Sequence, residues 1–499
     1  MKGFKKVVRN TALSVAILVV TICFFACGKK NDNLDDIGAS LTNYYLEVEY
    51  DDESKSVNSV CEIDFCNPTE SMLKEIKLHL YVASFTRNST SKVVSDLNYE
   101  KAFYNGESFA TLNISRVQLD GVDVGVSYEN EDDDIMVINL NSSLYPTERI
   151  NINIEYSFTL PNCNHRFGYG ENTINVGNFY PIVCAYDNGW RTESYCSTGD
   201  PFYSDMANYY VSLCCDENLV LASSGVVKNS TNDDGKSYYN IEAKCVRDFA
   251  FVLSEKFNVV SKKVDGVECV YYYIDDENAE KSLQCAVDAI DTFSDKFYRY
   301  PYSRYSIVEA DFCYGGMEYP NLSLISKDIS NYDDYLNVIV HETAHQWWYN
   351  LIGNDEYHEP WLDEALTEFS CVLFYDLNKG YNYNHEDMID AAHQNFVFYQ
   401  SVYNDVMGKV SSDMRRAINE YETEPEYTFT VYVKGVLMFD SLYNLIGKNN
   451  FYKAIKKYAQ DNVYKISKEP NLIACFESVS GASLENFFDC WLGGKVIIN

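Results

Sequence analysis

The sequence predicts an α+β multidomain protein, with an N-terminal antiparallel β domain of saddle or sandwich type followed by an α+β domain rich in helices. Three observations carry this. The chain has 499 residues with 46% hydrophobic content, enough for more than one core. From about residue 41 to 255 apolar residues recur at every second position, and from about 258 the spacing becomes three and four.

The first 26 residues stand apart from the fold. MKGFKKVVRN is a basic start and the run to Ala26 is apolar but short for a membrane span. With Cys27 next, this segment resembles a bacterial lipoprotein signal in which Cys27 becomes the lipid-bearing first residue. Phe24 departs from the usual aliphatic residue there, so an uncleaved signal-anchor is the alternative. Both readings place the rest outside the cytoplasm, held at the cell membrane.

Residues 27–40 read as the attachment point and a polar tether. Loss of the leader removes Lys2, Lys5, Lys6 and Arg9, taking the formal charge from −34 to −38. So acidic a chain is no partner for nucleic acid. Of sixteen cysteines, fourteen lie beyond Cys27, in no metal or redox spacing, and read as small buried hydrophobes.

In the β domain (41–255), Leu46, Val48 and Tyr50 alternate with acids. Cys61, Ile63 and Phe65 follow, then Ile76, Leu78 and Leu80, and the run from Ile150 to Leu160 is the longest. Pieces such as Asn67-Pro68 and Gly199-Asp200-Pro201 read as turns joining antiparallel strands. In the second domain (256–499), Leu283, Ala286, Ile290, Phe293 and Phe297 mark an amphipathic helix. A helix is expected over 334–352, ending at Gly353, and a second opens at Pro360.

The first of these helices contains HETAH. One turn sets His341 and His345 on one face, able to share a zinc ion, with Glu342 beside the open position to take a proton from an attacking water. With eighteen residues between it and His345, Glu364 lies on the second helix. Two antiparallel helices joined by a short loop would bring it to the same metal. His358 is nearer in sequence but reads as a solvated loop residue.

HETAHQWW, the gap and WLDEALTEF are similar to the M1 family of zinc aminopeptidases. GGMEY at 315–319 looks like that family's GAMEN exopeptidase motif, and TVYVKG at 430–435 looks like the stretch bearing its catalytic tyrosine. The resemblance covers about 41 to 495. It implies a saddle domain before a thermolysin-like catalytic domain, one zinc on His341, His345 and Glu364, a general base at Glu342 and oxyanion stabilisation by Tyr432. It further implies that Gly315, Gly316, Met317 and Glu318 bind a peptide substrate, Glu318 pairing with its α-amino group.

The sequence departs from the pattern in three ways. Gly316 replaces Ala, and Tyr319 replaces an Asn able to hold substrate backbone, where a phenol would narrow the site. Only about 65 residues follow Tyr432, too few for the family's large C-terminal helical domain. No PCWDEP-like segment precedes 190, which leaves Glu171 as the candidate for a second amine-binding acid. The leading expectation is a lipid-anchored aminopeptidase. An endopeptidase of the same zinc chemistry and a non-catalytic surface binding lipoprotein are the alternatives.

Overall fold

The computed structural model describes residues 32–408 and 411–498; the leader and Cys27 lie outside the described residues. Alternation dictates the first half. In the strand Thr42–Asp51, Tyr44, Leu46, Val48 and Tyr50 are buried while Tyr45, Glu47 and Glu49 face out. That strand sits inside an eight-stranded sheet ordered Val226–Asp233, Lys236–Val246, Ala207–Asp216, Thr42–Asp51, Ser56–Cys66, Arg149–Thr159, Thr111–Leu119, Val122–Asp123. Two four-stranded sheets cover its apolar side, so one face of the large sheet is core and the other water.

The sheet is not wholly antiparallel, as the turns had suggested. Thr42–Asp51 runs parallel to Ala207–Asp216. A parallel neighbour needs a long crossover rather than a hairpin. Here the first strand slots between the edge of its own hairpin and a strand more than 150 residues later.

The segment expected as a loose tether is docked over its described part. Asn33 caps the short helix Leu34–Gly38. Asp32 accepts the hydroxyls of Tyr298 at 2.8 Å and Tyr464 at 2.7 Å, and Lys244 pairs with Asp35.

In the second half, a five-stranded mixed sheet runs Asn258–Val264, Val267–Tyr273, Arg304–Ala310, Leu322–Ser326, Gly316–Met317. The helix Ala279–Lys296 lays Leu283, Ala286, Ile290 and Phe293 against it and against the HETAH helix. All fourteen cysteines among the described residues are free, and eleven are buried, as small apolar fillers should be.

The HETAH helix is shorter than its periodicity suggested. It spans Tyr332–Ala344, opened by Asn331, whose side chain accepts the amides of Asp333 and Asp334. Beyond His345 the chain folds back, with Tyr349 at φ 133°. Arg247 of the β domain holds this reversal. Its Nε donates to the carbonyls of Tyr349 (2.7 Å) and Asn350 (3.1 Å), Nη1 to Ser204 and Nη2 to Lys465.

Two of these bonds satisfy buried carbonyls of the folded-back segment, and the other two tie it to Ser204 and Lys465. Gly353 does not stop a helix. It pairs in a two-residue bridge with Ile466, and a Cβ there would lie 2.3 Å from the Arg247 Cζ.

Candidate active site

The two histidines and Glu364 come together because two helices cross the floor of one cleft. His341 sits in the last turn of Tyr332–Ala344 and His345 caps it. Glu364 projects from the first turn of Trp361–Leu377, which begins directly after Pro360. Their donor atoms lie close: Nε2 to Nε2 3.1 Å, and Glu364 Oε2 at 3.5 Å from His341 and 3.3 Å from His345. A tetrahedral ion with bonds of about 2.0–2.1 Å has donor separations of roughly 3.3 Å, so the triangle has the size zinc requires.

Glu364 Oε2 is buried with no hydrogen-bond partner, and so is Glu342 Oε2. Orphaned carboxylate oxygens inside a protein are costly unless a cation meets them. The donor set of two imidazoles and one carboxylate suits zinc.

The imidazoles are aimed from behind. His345 Nδ1 donates to the Trp348 carbonyl at 2.9 Å and lies 3.3 Å from the Thr367 hydroxyl. His341 Nδ1 lies 3.1 Å from Glu368 Oε1. Each contact leaves Nε2 as the free ligand atom. Sequence reasoning passed over Glu368, although it stands one helical turn after Glu364.

Glu342 is 4% exposed. Burial raises its carboxyl to about 7, with the two histidines pulling the other way. A carboxylate poised near neutrality suits proton transfer. Gly316 packs on it so closely that a Cβ would fall 2.3 Å from Glu342 Oε1.

Glu364 is held down at about 2: burial opposes ionisation, but His345 and His341 outweigh it. The phenol of Tyr432 donates to its Oε1. Tyr432 stands on a π-helical turn, Phe429–Val433, that runs into the helix Lys434–Ile446. Its ring lies parallel to His341 with centroids 6.1 Å apart.

Gly316 and Met317 form the edge strand of the second sheet, with Gly315 and Glu318 beside it. The loop after it is clamped by Gln346 of the metal-binding segment, which donates to the Tyr319 carbonyl at 3.2 Å and accepts the Asn321 amide at 2.7 Å. Glu318 is 4% exposed. Burial, and then the field of Asp200, push its carboxyl well above the usual range.

Two expectations need correction. Tyr319 does not narrow the cleft; it is 1% exposed and turned into the β domain. Glu171 is exposed and its carbonyl accepts from Lys256. The acid that the β domain brings to the cleft is Asp200, which the sequence offered only as part of a turn. His358 pairs with Asp355 at 3.0 Å, apart from the metal donors.

The cleft measures about 220 Å³ and is walled by both domains, with Arg166 and Asp200 facing Gly316, His341, Glu342 and Tyr432.

Residues 281–491 match the Peptidase family M1 domain. Leucine aminopeptidase 2 of Aspergillus fumigatus is 29% identical over 264 residues, 49% of this chain and 40% of that protein. Endoplasmic reticulum aminopeptidase 1 of rat is 24% identical over 284 residues, 51% of this chain and 29% of that protein. The chain thus spans under half the length of these relatives. In fold it resembles the M1 zinc metallopeptidase of Deinococcus radiodurans, in a variant crystal structure, with TM-score 0.64 at 15% identity, covering 91% of this chain and 94% of that one.

Proposed function

We propose that this chain, whose residues 281–491 carry an M1 peptidase domain, is a zinc metallopeptidase that removes residues from the free N-terminus of peptides. The observation that carries the reading is the buried, partnerless oxygen of Glu342 beside three donors spaced for one metal ion. His341, His345 and Glu364 would hold zinc. Bound there, zinc acts as a Lewis acid that polarises a peptide carbonyl and acidifies a water.

The remaining work falls to the chain itself. Glu342 accepts the proton of the attacking water and returns it to the leaving amine. Tyr432, released from Glu364, donates to the oxyanion that develops on the scissile carbonyl. Glu318 pairs with the substrate's α-ammonium, and the edge strand Gly316–Met317 aligns the backbone.

Metal analysis and peptide hydrolysis, with and without chelator, test this. The expected result is one zinc per chain and turnover that chelation abolishes. Glu342→Gln should keep its zinc and lose turnover by at least about 100-fold, because an amide cannot take the proton. Protein free of zinc, or Glu342→Gln as active as the parent, would overturn the reading.

We also propose that the enzyme acts outside the cytoplasm, anchored through lipid on Cys27. The basic, apolar, cysteine-terminated start supports this. Cys27→Ser should leave the membrane fraction. A variant that stays there with residues 1–26 intact is a signal-anchored protein instead.

A further inference from the structure

Among the residues that line the cleft, Arg166 is the one lysine or arginine; Asp200, Glu342, Glu368 and Glu424 line it with the opposite sign. A guanidinium in such company is usually consumed by its neighbours. This one is not.

Arg166 is 5% exposed. Its Nη1 donates to Asp200 Oδ1 at 2.7 Å, while its Nε is buried without a partner. Nη1 lies on the side of the guanidinium away from Nε. Asp200 therefore engages one corner and leaves the Nε–Nη2 edge without a partner among the described residues. That edge presents two parallel N–H donors, the geometry that grips a carboxylate at both oxygens.

The group is also held in place. The ring of Phe202 lies 4.9 Å below the guanidinium, and the Arg166 carbonyl accepts the Gly177 amide at 3.0 Å. A fixed fork loses little side-chain entropy when a ligand arrives.

We propose that Arg166 is a substrate-binding residue that takes a carboxylate of the peptide on its Nε–Nη2 edge. The proposal rests on the peptidase reading above. Two sources present this chemistry: the C-terminal carboxylate of a short peptide, and an acidic side chain within a longer one. Elsewhere in the cleft Glu342, Glu368 and Glu424 repel such a group, so Arg166 marks the place where it is accepted. Asp200 cancels the net charge of the arginine, which leaves the paired hydrogen bonds, rather than long-range attraction, to supply the selectivity.

The test compares Ala-Ala-Ala as free acid and as C-terminal amide, and Ala-Glu-Ala amide with Ala-Gln-Ala amide. Rates are read on the zinc-loaded parent, and binding by calorimetry on zinc-loaded Glu342→Gln. The expected result is about a 10-fold or larger preference, mostly in KM and in Kd, for the carboxylate member of one pair. The first pair identifies a C-terminal carboxylate and the second an acidic side chain.

Arg166→Met should bring that ratio close to one, with Arg166→Lys in between. Arg166→Met leaves Asp200 unpaired, so its melting is recorded and the Arg166→Met/Asp200→Asn double variant is measured beside it. Equal rates on the parent and equal binding to Glu342→Gln within both pairs would overturn the proposal without any substitution at Arg166. Amides cleaved with no carboxylate preference leave the peptidase standing and remove the role of Arg166. Carboxylate-selective binding without cleavage does the reverse.

Discussion

The Tyr319 hydroxyl donates to Asn178 Oδ1 over 2.9 Å, joining the segment that carries Glu318 to the β domain. Asn178 in turn donates to Asp248 at 2.7 Å, and Tyr180 donates to the other oxygen of that carboxylate. All four groups are buried. Room for the phenol comes from Gly177, where a Cβ would lie 1.8 Å from the Tyr319 oxygen.

Tyr319→Phe should therefore lower stability by about 1–2 kcal/mol, because the Asn178 oxygen is left buried and unpaired. Gly177→Ala should cost about as much or more through overpacking. Urea denaturation of both variants checks this. Unaltered midpoints would mean that the phenol is not held between the domains.

A second expectation concerns the carboxylate behind His341. Glu368 stands 3.1 Å from Nδ1, and such contacts orient a ligating imidazole and raise its basicity. Glu368→Ala should weaken zinc binding or activity by roughly 10–100-fold while the fold is kept. Competition with a chelator of known affinity measures the first. Glu364→Ala, by contrast, removes a donor and should strip most of the metal at the same chelator concentration.

Acid sensitivity should come partly from a residue remote from the cleft. His79 is 4% exposed and stacked on Tyr81 with centroids 4.7 Å apart; burial lowers its pKa to about 4. The unfolded chain binds the proton near pH 6.5, so below that pH unfolding takes up a proton that the native state refuses. The neutral imidazole's contribution is full above about 6.5 and is lost as pH falls toward 4. By pH 5 the loss is roughly 2 kcal/mol. Stability measured by urea between pH 7.5 and 5 should fall less steeply in His79→Gln; parallel slopes would show that His79 is not the group responsible.

How much of this was legible in the sequence depended on the range of the interaction. Alternation marked Leu46, Val48 and Tyr50 as one buried face, since period two is local. The metal donors were legible because helical spacing and a fixed gap confine His341, His345 and Glu364. The reversal that follows the HETAH helix was not, because it packs on Arg247, about a hundred residues upstream, which binds carbonyls that no local pattern marks. Asp200 and Arg166 were hidden for the same reason. They reach the cleft only when two domains close on it, and in sequence one is a turn acid and the other an unremarked cation. Tyr319 was read as an intruder because its partner, Gly177, belongs to the other domain.

The last expectation concerns where a substrate is cut. Glu318 lies beside the edge strand Gly316–Met317, almost wholly buried. With its carboxyl pushed up by burial and by Asp200, it is a group that an ammonium ion would return to the charged form. If it receives the substrate's α-ammonium, the distance from Glu318 to the metal donors fixes hydrolysis at the first peptide bond. Glu318→Ala should then lower kcat/KM by about 100-fold or more on free-amine peptides, the loss expected for a buried, charge-assisted contact made to the reacting residue. Glu318→Gln, which keeps the shape but not the charge, should lose nearly as much. N-acetylated peptides should be poor substrates for the parent and no worse for either variant, since they bring no ammonium to lose. Tyr319 offers no obstacle, because its ring is packed in the β domain. Internal cleavage of acetylated peptides at the rate of free ones, with Glu318→Ala unaffected, would make the enzyme an endopeptidase and leave the zinc chemistry as described.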